Sequence, residues 1–546
     1  MNSLRSLNSY FWKYRLQIFL GLSFIVLSNF FTIFRVQYVG KSVDIIADSQ
    51  SSEWSFQISK YVLIIIFSSL FAGFFTFMMR QTIIVASRKI EYELKNKIYR
   101  HYQEISLTDY KKNTIGDFMN RLSEDVVAVR MYLGPGVMYI INTVVLVFIT
   151  GIYMLKTEVQ LTLWALVPLP VLAYLIFKVS SVINRKSKNQ QKKQSEISTL
   201  VTDSFSGIRV IKFFAKELFV DKIYKREVLS FQKGALDLAK TEAYFYTIIL
   251  LILGLLNVII LYVGGIKYIN GEISVGKIAD FFMYINILIF PVSMVGWVTS
   301  VNQRAEASMQ RINEFLNLKS EIRNQNFSTY PIKGNIEFRN VSYVYPNTGI
   351  RALDKVNFSL SAGESLAIMG KTGSGKTTLA LLLSRLIEPT EGEILLDGKN
   401  LKEHNLVLYR SCLGYVPQES YLFSETVEKN IGFAVDNPSF SAVVEYAKKA
   451  DVHKDIEGFT WGYQTLVGER GVALSGGQKQ RICIARALIK KPSVLIFDDV
   501  LSALDTKTER KVLDNIAQEI SGHTTVIITH RESTAQKADR ILYLDS

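Results

Sequence analysis

The sequence predicts two domains of different fold class: an all-α membrane domain of six spans with long cytoplasmic helical extensions, and then an α/β domain. Three observations predict this order. Long apolar runs are confined to the part of the chain before Gln303. A glycine-rich loop at residues 370–378 lies between a strand-like and a helix-like run. Strand-like and helix-like stretches then alternate from Gly334 onward, which is typical of an α/β domain.

Composition narrows the classes of protein that fit. Of 546 residues, 49% are hydrophobic and 21% are charged, with a net charge of +14. Such a charge could indicate nucleic acid, but the excess lies in polar stretches between apolar runs, which favours a basic cytoplasmic face and no nucleic-acid partner. Cys412 and Cys483 have no metal-ligand spacing, and a reducing compartment is expected.

Six segments are long and apolar enough to cross a bilayer as helices. Segments without any charge, such as Ile248–Tyr262, argue against buried helices of a soluble protein. The basic stretch Met1–Arg15 precedes a run that lacks a cleavage site, so we expect a first span and not a removable signal. The six predicted spans are Leu16–Phe34, Val62–Met79, Met138–Met154, Leu161–Phe177, Tyr246–Tyr262 and Ile278–Val298.

The two long intervals between spans, residues 80–137 and 178–245, are rich in Lys and Arg. Basic residues near span ends mark the cytoplasmic side, so both intervals and both termini are expected inside a plasma or inner membrane. Apolar residues at helical spacing predict that both intervals form helical arms. Turn-like residues at 113–117 and 203–207 predict arm tips that touch the second domain.

These patterns place the domain boundaries. Residues 1–318 are predicted to form the membrane domain, including an amphipathic helix over Gln303–Leu318. The polar stretch 319–333 is predicted to be a linker, and residues 334–546 the α/β domain.

The loop between strand and helix fits the phosphate-binding pattern G-x-x-x-x-G-K-[ST] of P-loop nucleotide triphosphatases. Its glycines allow backbone N–H groups to surround phosphate oxygens, and the following helix N-terminus adds positive charge. Lys376 is predicted to contact the β- and γ-phosphates and Thr377 to hold Mg²⁺. The predicted nucleotide-binding residues of the loop are Gly370, Lys371, Thr372, Gly373, Ser374, Gly375, Lys376, Thr377 and Thr378.

A second run, Val494–Phe497, is wholly apolar and ends in the carboxylate of Asp498. A buried parallel strand would deliver this carboxylate to the edge of the sheet where ligands bind. Asp498 is therefore a predicted Mg²⁺ ligand beside the loop.

With these motifs together, the chain resembles a half-transporter of the ATP-binding cassette (ABC) exporters, in which a membrane domain precedes the ABC ATPase domain. The stretch Leu474, Ser475, Gly476, Gly477 and Gln478 matches the family signature. Residues 465–471 are similar to the segment that exporters place against their arms. Further matches are Tyr345, Gln418, Ser502, Ala503, Leu504, Asp505 and His530.

The resemblance implies a role for each match. Tyr345 stacks on adenine, Gln418 links Mg²⁺ and the attacking water to the membrane domain, and His530 hydrogen-bonds the γ-phosphate. The signature acts on ATP bound to the opposite subunit, so a second half-transporter is implied. Residues 502–505 form an inter-site loop. ATP and Mg²⁺ are the implied cofactors.

Asp499 departs from the family pattern, which has Glu as the general base directly after Asp498. The shorter side chain predicts impaired hydrolysis at this chain's own site. Asp occurs at this position in one subunit of the resembling heterodimers, so a heterodimer is favoured over a homodimer whose Asp499 works slowly. The sequence stops at Leu544–Ser546, before the family's usual further strand and helix; a weaker dimer contact and a shortened chain are the two alternatives.

The expected function is ATP-driven export or flipping of a hydrophobic or amphiphilic substrate by a dimer. The alternative from a different class is an ATP-gated channel-like or regulatory subunit with little hydrolysis of its own. The identity of the substrate cannot be read from the sequence.

Overall fold

The computed structural model describes residues 3–48, 54–112, 115–320, 322, 324, 326, 328, 330–468, 474–500, 511–512, 514–515 and 522–545. Side chains at 111–112, 169, 171–173, 176–177, 290–293 and 295 are outside this description. The chain divides into two compact units. The first comprises Met1–Arg100 and Gly116–Asn317, and the second His101–Ile115 and Leu318–Ser546.

The first unit is built from helices. Helix α4 (Leu107–Lys112) belongs to the second unit. After a 3₁₀ turn at Ser3–Leu7, the helices of the first unit are α1 (Asn8–Lys13), α2 (Arg15–Ala47), α3 (Trp54–Glu104), α5 (Ile115–Asn120), α6 (Val126–Met131), α7 (Val137–Thr157), α8 (Val159–Leu166), α9 (Pro168–Ser206), α10 (Ile208–Phe213), α11 (Glu217–Ile269) and α12 (Val275–Leu316). Two π-helical turns, Arg121–Asp125 and Tyr132–Gly136, join α5, α6 and α7 without a break.

Four of the described helical stretches are long and apolar enough to cross a membrane: Arg15–Ala47, Trp54–Glu104, Ile115–Thr157 and Glu217–Ile269. They contain four of the six predicted spans. The predicted span 161–177 falls on α8 and α9, which are separated at Val167, and the span 278–298 falls on α12. Since α3 and α11 exceed 50 residues, each continues well past the roughly 20 residues that a bilayer requires.

Helices α2 and α12 cross closely through two glycines. A Cβ on Gly40 would lie 2.7 Å from the carbonyl oxygen of Gly276, and a Cβ on Gly276 would lie 2.6 Å from Cγ of Asp44. Asp44 accepts hydrogen bonds from the Gly276 N–H at 2.6 Å and from Ser274 Oγ at 2.8 Å, which satisfies the start of α12. The carboxylate therefore fixes the N-terminus of α12 against α2.

The second unit alternates strands and helices. Its strands are β1 (Ile336–Val344), β2 (Arg351–Leu360), β3 (Ser365–Gly370), β4 (Glu391–Leu396), β5 (Lys399–Asn400), β6 (Leu413–Val416), β7 (Val494–Asp498), β8 (Thr524–Ile528) and β9 (Arg540–Leu544). Besides α4, its helices are α13 (Lys376–Leu383), α14 (Leu406–Ser411), α15 (Val427–Gly432), α16 (Phe440–Lys449), α17 (His453–Glu457), α18 (Gly476–Leu488) and α19 (Glu532–Ala535).

The strands form two sheets. An antiparallel sheet has the order β2-β1-β4-β5, and a parallel sheet has the order β6-β7-β8-β3-β9. Strands β7 and β8 are buried along their whole length, as parallel strands covered on both faces are expected to be. In the register of the parallel sheet, Ile528 of β8 pairs with Asp498 on one side and Ile368 on the other. This register brings the carboxyl ends of β3 and β7 to one edge.

The tip of the first arm belongs to the second unit, where Leu107 of α4 packs against the core that surrounds the phosphate loop helix α13. The predicted linker is also attached to this unit. Asn324 Oδ1 accepts from the Leu406 N–H at 2.9 Å, and Asn326 Nδ2 donates to the Glu403 carbonyl at 2.9 Å.

Candidate functional site

The glycine-rich loop connects β3 to α13 in the second unit. Gly375, directly before α13, has φ +91°, and a Cβ there would lie 2.8 Å from Leu353 Cδ2. A side chain at this position would be both strained and crowded, so the loop requires glycine. The turn leaves the first N–H groups of α13 at the edge of the sheet, which is a ready site for an anion.

Lys376 opens α13 and turns back into the loop. Its Nζ donates to the carbonyl of Gly370 at 2.8 Å and to that of Lys371 at 2.7 Å. Burial lowers the pKa of Lys376, and the carboxylates of Asp499 and Asp498 oppose that change. A buried ammonium with two neutral partners favours a negatively charged ligand.

Thr377 and Asp498 come from different elements and meet at the end of the sheet. Thr377 Oγ1 donates to Asp498 Oδ1 at 3.2 Å. Asp498 is 1% exposed, and in the described part of the chain its Oδ2 has no hydrogen-bond partner. Burial raises the pKa of Asp498, and the neighbouring carboxylate of Asp499 adds to the rise. A hydroxyl beside a buried, underused carboxylate fits a divalent cation such as Mg²⁺.

Asp499 follows β7 in a left-handed conformation, with φ +49°. Its N–H donates to the Ile528 carbonyl at 3.0 Å, and its Oδ2 accepts from Gln418 Nε2 at 3.5 Å. Burial raises the pKa of Asp499, whereas the charges of His530, Lys376 and Arg531 oppose the rise. Gln418 therefore contacts Asp499, and the predicted site residues His530 and Lys376 lie near enough for their charges to act on it.

Tyr345 lies just after β1, and its hydroxyl is 2.9 Å from Oγ1 of Thr378 in the first turn of α13. Its ring meets that of Tyr343 edge to face, with centroids 5.0 Å apart. The predicted base-stacking residue is thus held beside the predicted phosphate loop.

The signature residues form the start of α18. Ser475 and Gln478 make a capping box, with Gln478 N–H to Ser475 Oγ at 3.3 Å and Ser475 N–H to Gln478 Oε1 at 3.0 Å. Leu474 is buried, whereas Ser475 and Gly476 are exposed. Within the described residues, no hydrogen bond joins the signature to the loop at residues 370–378. The predicted residues Ser502–Asp505 and positions 469–471 lie outside the described residues.

Three further residues near the site were not anticipated from the sequence. Tyr415 of β6 contacts Asp498, Arg531 lies near Asp499, and Asp455 accepts from Gln478 Nε2 at 3.2 Å. Asp455 also forms an ion pair with Arg481 of α18 at 2.9 Å, so it stabilises the first turns of this helix. Tyr415 lies in β6 three residues before Gln418, and this closeness in sequence could have indicated it. No local signal marks Asp455.

A strand, a glycine-rich loop and a helix that hold a buried lysine beside a hydroxyl–carboxylate pair define a P-loop nucleotide triphosphatase. The ABC transporter transmembrane region family matches residues 18–292, and the ABC transporter family matches residues 353–502. The chain belongs to the ABC transporters, as a membrane domain fused to an ATP-binding domain.

Similar proteins cover nearly the whole chain. It is 31% identical to the "Probable multidrug resistance ABC transporter ATP-binding/permease protein YheI" of Bacillus subtilis, over 99% of this chain and 93% of the relative. It is 31% identical to the "ATP-dependent lipid A-core flippase" of Syntrophus aciditrophicus, over 84% of this chain and 76% of the relative. The structure of a bacterial Atm1-family ABC exporter with ATP bound shares the fold, with a TM-score of 0.78 and 24% identity over 99% of this chain and 94% of that one.

The expected fold class is therefore confirmed: a helical membrane domain of the exporter type precedes an ABC ATPase domain. The chain is an integral membrane protein of the ABC exporters of multidrug or lipid type. Its second unit binds ATP, and ATP hydrolysis coupled to transport is the expected activity of this class.

Proposed function

We propose that this chain exports or flips a hydrophobic or amphiphilic substrate as one half of a dimeric ABC exporter, with both termini in the cytoplasm. The single observation that carries the proposal is the meeting of Lys376, Thr377 and Asp498 at the sheet edge of a chain that also contains bilayer-length apolar helices. ATP that binds at this edge changes the relative stability of conformations, and a transporter uses that difference to move its substrate.

The need for a second subunit is supported by surfaces that this chain leaves uncovered. The tip of the second arm, around α10, exposes Phe213 at 83%, Leu218 at 85% and Phe205 at 74%. Such an apolar patch at the end of a polar arm favours an interface with another protein. Ser475 and Gly476 are exposed at the N-terminus of α18, where an anion held by a partner subunit can approach them.

Catalytic roles follow from the donors at the sheet edge. Lys376 and the N–H groups of α13 hold the phosphates, and Thr377 and Asp498 would hold Mg²⁺, which neutralises phosphate charge when bound. Asp499 is the candidate general base, and Gln418 and His530 orient the water and the γ-phosphate. Tyr345 supports the base, because its ring gives affinity with little discrimination.

Asp499 supports a heterodimer with one weak and one strong hydrolytic site. Its carboxylate is one methylene shorter than that of Glu, and its contact with Gln418 is at the outer limit for a hydrogen bond. The signature of this chain keeps a complete capping box and can serve the partner's ATP. The partner is then expected to carry Glu at the matching position.

The same residue favours a second candidate function, an ATP-gated channel-like or regulatory subunit. A site that binds ATP and hydrolyses it slowly would hold the closed dimer for a long time. Substrate movement that stays downhill, or ion current across a planar bilayer, would identify this class instead.

The substrate class is argued from the membrane domain and from the relatives. Relatives are named for multidrug resistance and for lipid A-core flipping. Amphiphilic drugs and lipids share an apolar body that partitions into the bilayer, which long apolar helices can receive.

The proposal is tested in proteoliposomes that contain the assembled transporter. We expect vanadate-sensitive ATPase activity, stimulated by a hydrophobic compound and lost when both subunits carry the equivalent of Lys376→Ala. Lys429→Ala, an exposed lysine on α15 that pairs with Glu425, is the matched control and is expected to keep full activity. ATPase activity that survives Lys376→Ala in every assembly would overturn the proposal.

A further inference from the structure

Asp455 of α17 accepts hydrogen bonds from two side chains of the signature helix α18. Its Oδ1 accepts from Gln478 Nε2 at 3.2 Å, and its Oδ2 accepts from Arg481 Nη1 at 2.9 Å. Both donors lie in the first two turns of α18. One carboxylate outside the signature therefore holds two side chains at the end of the helix where the signature begins.

The contact with Asp455 decides which way the amide of Gln478 points. In the capping box, Gln478 Oε1 accepts from the Ser475 N–H at 3.0 Å. A flipped amide would place its NH₂ group against that N–H and its oxygen against the carboxylate of Asp455, so both contacts would become repulsive. Asp455 therefore keeps the amide oxygen on the Ser475 N–H, and the capping box depends on this orientation.

The capping box leaves donors at the start of α18 for an anion. Ser475 Oγ accepts from the Gln478 N–H at 3.3 Å, which uses a lone pair and not the hydroxyl proton. The N–H groups of Gly476 and Gly477 occupy the first helical positions, where no carbonyl of the helix can accept from them. Ser475 and Gly476 are exposed. The hydroxyl and the two N–H groups are thus presented together at the positive end of the helix.

Arg481 makes this arrangement compatible with a phosphate. Its guanidinium forms an ion pair with Asp455, so the negative charge of the carboxylate is balanced beside the place where an anion would approach. Arg481 Nε also donates to the Gly477 carbonyl at 3.3 Å. The ion pair therefore connects Asp455 to Gly477 as well as to Ser475.

From these contacts we infer that Asp455 is a positioning residue for hydrolysis of the ATP that is bound to the partner subunit. It fixes the amide of Gln478 and, through the capping box, the hydroxyl of Ser475 that faces this ATP. Only a carboxylate accepts from Gln478 and Arg481 together, because an amide in its place presents an NH₂ group to one of them. The inference rests on the proposed dimer and adds a residue outside the signature to the partner's site.

The test uses the assembled transporter in nanodiscs, with one phosphate loop inactivated at a time. Lys376→Ala leaves the partner's loop as the working site, and that site uses the signature of this chain. The equivalent substitution in the partner leaves the loop of this chain, which uses the partner's signature. If both subunits are copies of this chain, Asp455→Asn is placed either on the copy that carries Lys376→Ala or on the other copy.

Asp455→Asn is expected to lower kcat at the partner's loop about tenfold or more, because the amide loses one of the two hydrogen bonds that hold the signature. KM is expected to change less, since the loop binds ATP before the signature closes on it. At this chain's own loop, kcat is expected to stay unchanged, which also demonstrates that the variant is folded. A purely structural role would lower both rates.

Two variants and a second measurement complete the design. Glu457→Gln alters an exposed carboxylate of the same helix, 3.2 Å from His453, and is expected to leave both loops unchanged. Asp455→Glu keeps the carboxylate on a longer side chain and is expected to fall between the wild type and Asp455→Asn. Release of a fluorescent ATP analogue from the partner's loop needs no hydrolysis, and Asp455→Asn is expected to accelerate it.

Three outcomes would overturn the inference. Equal losses at both loops would assign Asp455 a structural role, a loss confined to this chain's own loop would assign it a role in the wrong site, and no loss at the partner's loop would show that the signature does not need it. A wild type that neither hydrolyses ATP nor moves substrate would instead refute the proposed function, and release of the ATP analogue would still decide the role of Asp455.

Discussion

Replacing Asp499 with Glu is expected to increase the rate of ATP hydrolysis at this chain's own site by about 100-fold. The substitution advances the carboxylate by about 1 Å, and a misplacement of that size costs about 10²-fold in rate, or ~2.7 kcal/mol of barrier. The contact of 3.5 Å between Asp499 and Gln418 can then shorten into the normal hydrogen-bond range.

The same substitution is expected to lower the stability of the domain, because Asp499 has a left-handed backbone conformation. At φ +49°, a short polar Asp is tolerated better than Glu, so the variant is expected to lose on the order of 1 kcal/mol of unfolding free energy. A domain that is stable by ~5–15 kcal/mol retains its fold after such a loss. The rate therefore rises although the thermal midpoint falls slightly.

The assay is phosphate release by the assembled transporter in nanodiscs under saturating Mg²⁺ and ATP. If the partner is a different chain, its own phosphate-loop lysine is replaced by Ala, so that only the phosphate loop of the present chain supports turnover. Asp499→Asn serves as the control that removes the base. An unchanged rate in Asp499→Glu together with a lost rate in Asp499→Asn would show that Asp499 already reaches the water, and the reasoning from side-chain length would be refuted.

Three more predictions concern the pH dependence of hydrolysis, the carboxylate of Asp498 and the glycines where α2 crosses α12. Burial raises the pKa of Asp499, and the general base is lost as the pH falls through that raised pKa. On the acid side, the hydrolysis rate is therefore expected to decline at a higher pH than it would with an exposed Asp as the base. A pH–rate profile that stays flat well into the acid range would contradict this. Asp498→Asn is expected to reduce Mg²⁺-dependent hydrolysis by more than about 10²-fold. It is also expected to raise the nucleotide-free thermal midpoint at neutral pH, because the folded state then no longer buries a carboxylate whose pKa is raised by burial. A lower midpoint by differential scanning fluorimetry would contradict this explanation. Gly276→Ala is expected to lower the free energy of unfolding by about 1–3 kcal/mol, because its Cβ would lie 2.6 Å from Asp44 Cγ. Gly73→Ala is the control: a Cβ there has no heavy atom of the described residues within 4 Å, so the thermal midpoint is expected not to fall. Equal effects of the two substitutions would refute the argument that α2 and α12 cross closely.

Much of the second domain could be predicted because its motifs are local. The strand before the loop and the apolar helix after it are β3 and α13, and the apolar run before Asp498 is β7. In each case a few consecutive residues carry the pattern, and the strand–loop–helix order alone predicts a phosphate site. The exporter resemblance likewise rested on contiguous stretches, and the family matches confirm it.

What the linear pattern could not supply is any contact between residues far apart in the chain. The hydrogen bond between Thr377 and Asp498 joins residues 121 positions apart. The structure also assigns residues 101–115 to the second unit. The sequence pattern does not predict this, because a single boundary along the chain cannot describe a segment that folds with a distant one.

The sequence by itself determined the fold class, the phosphate loop and the apolar spans, because composition and short motifs are properties of neighbouring residues. Only the tertiary structure decided that Asp499 adopts a left-handed conformation beside Gln418 and that Asp44 fixes the start of α12. These features depend on strand register and helix crossing, which many distant contacts set together.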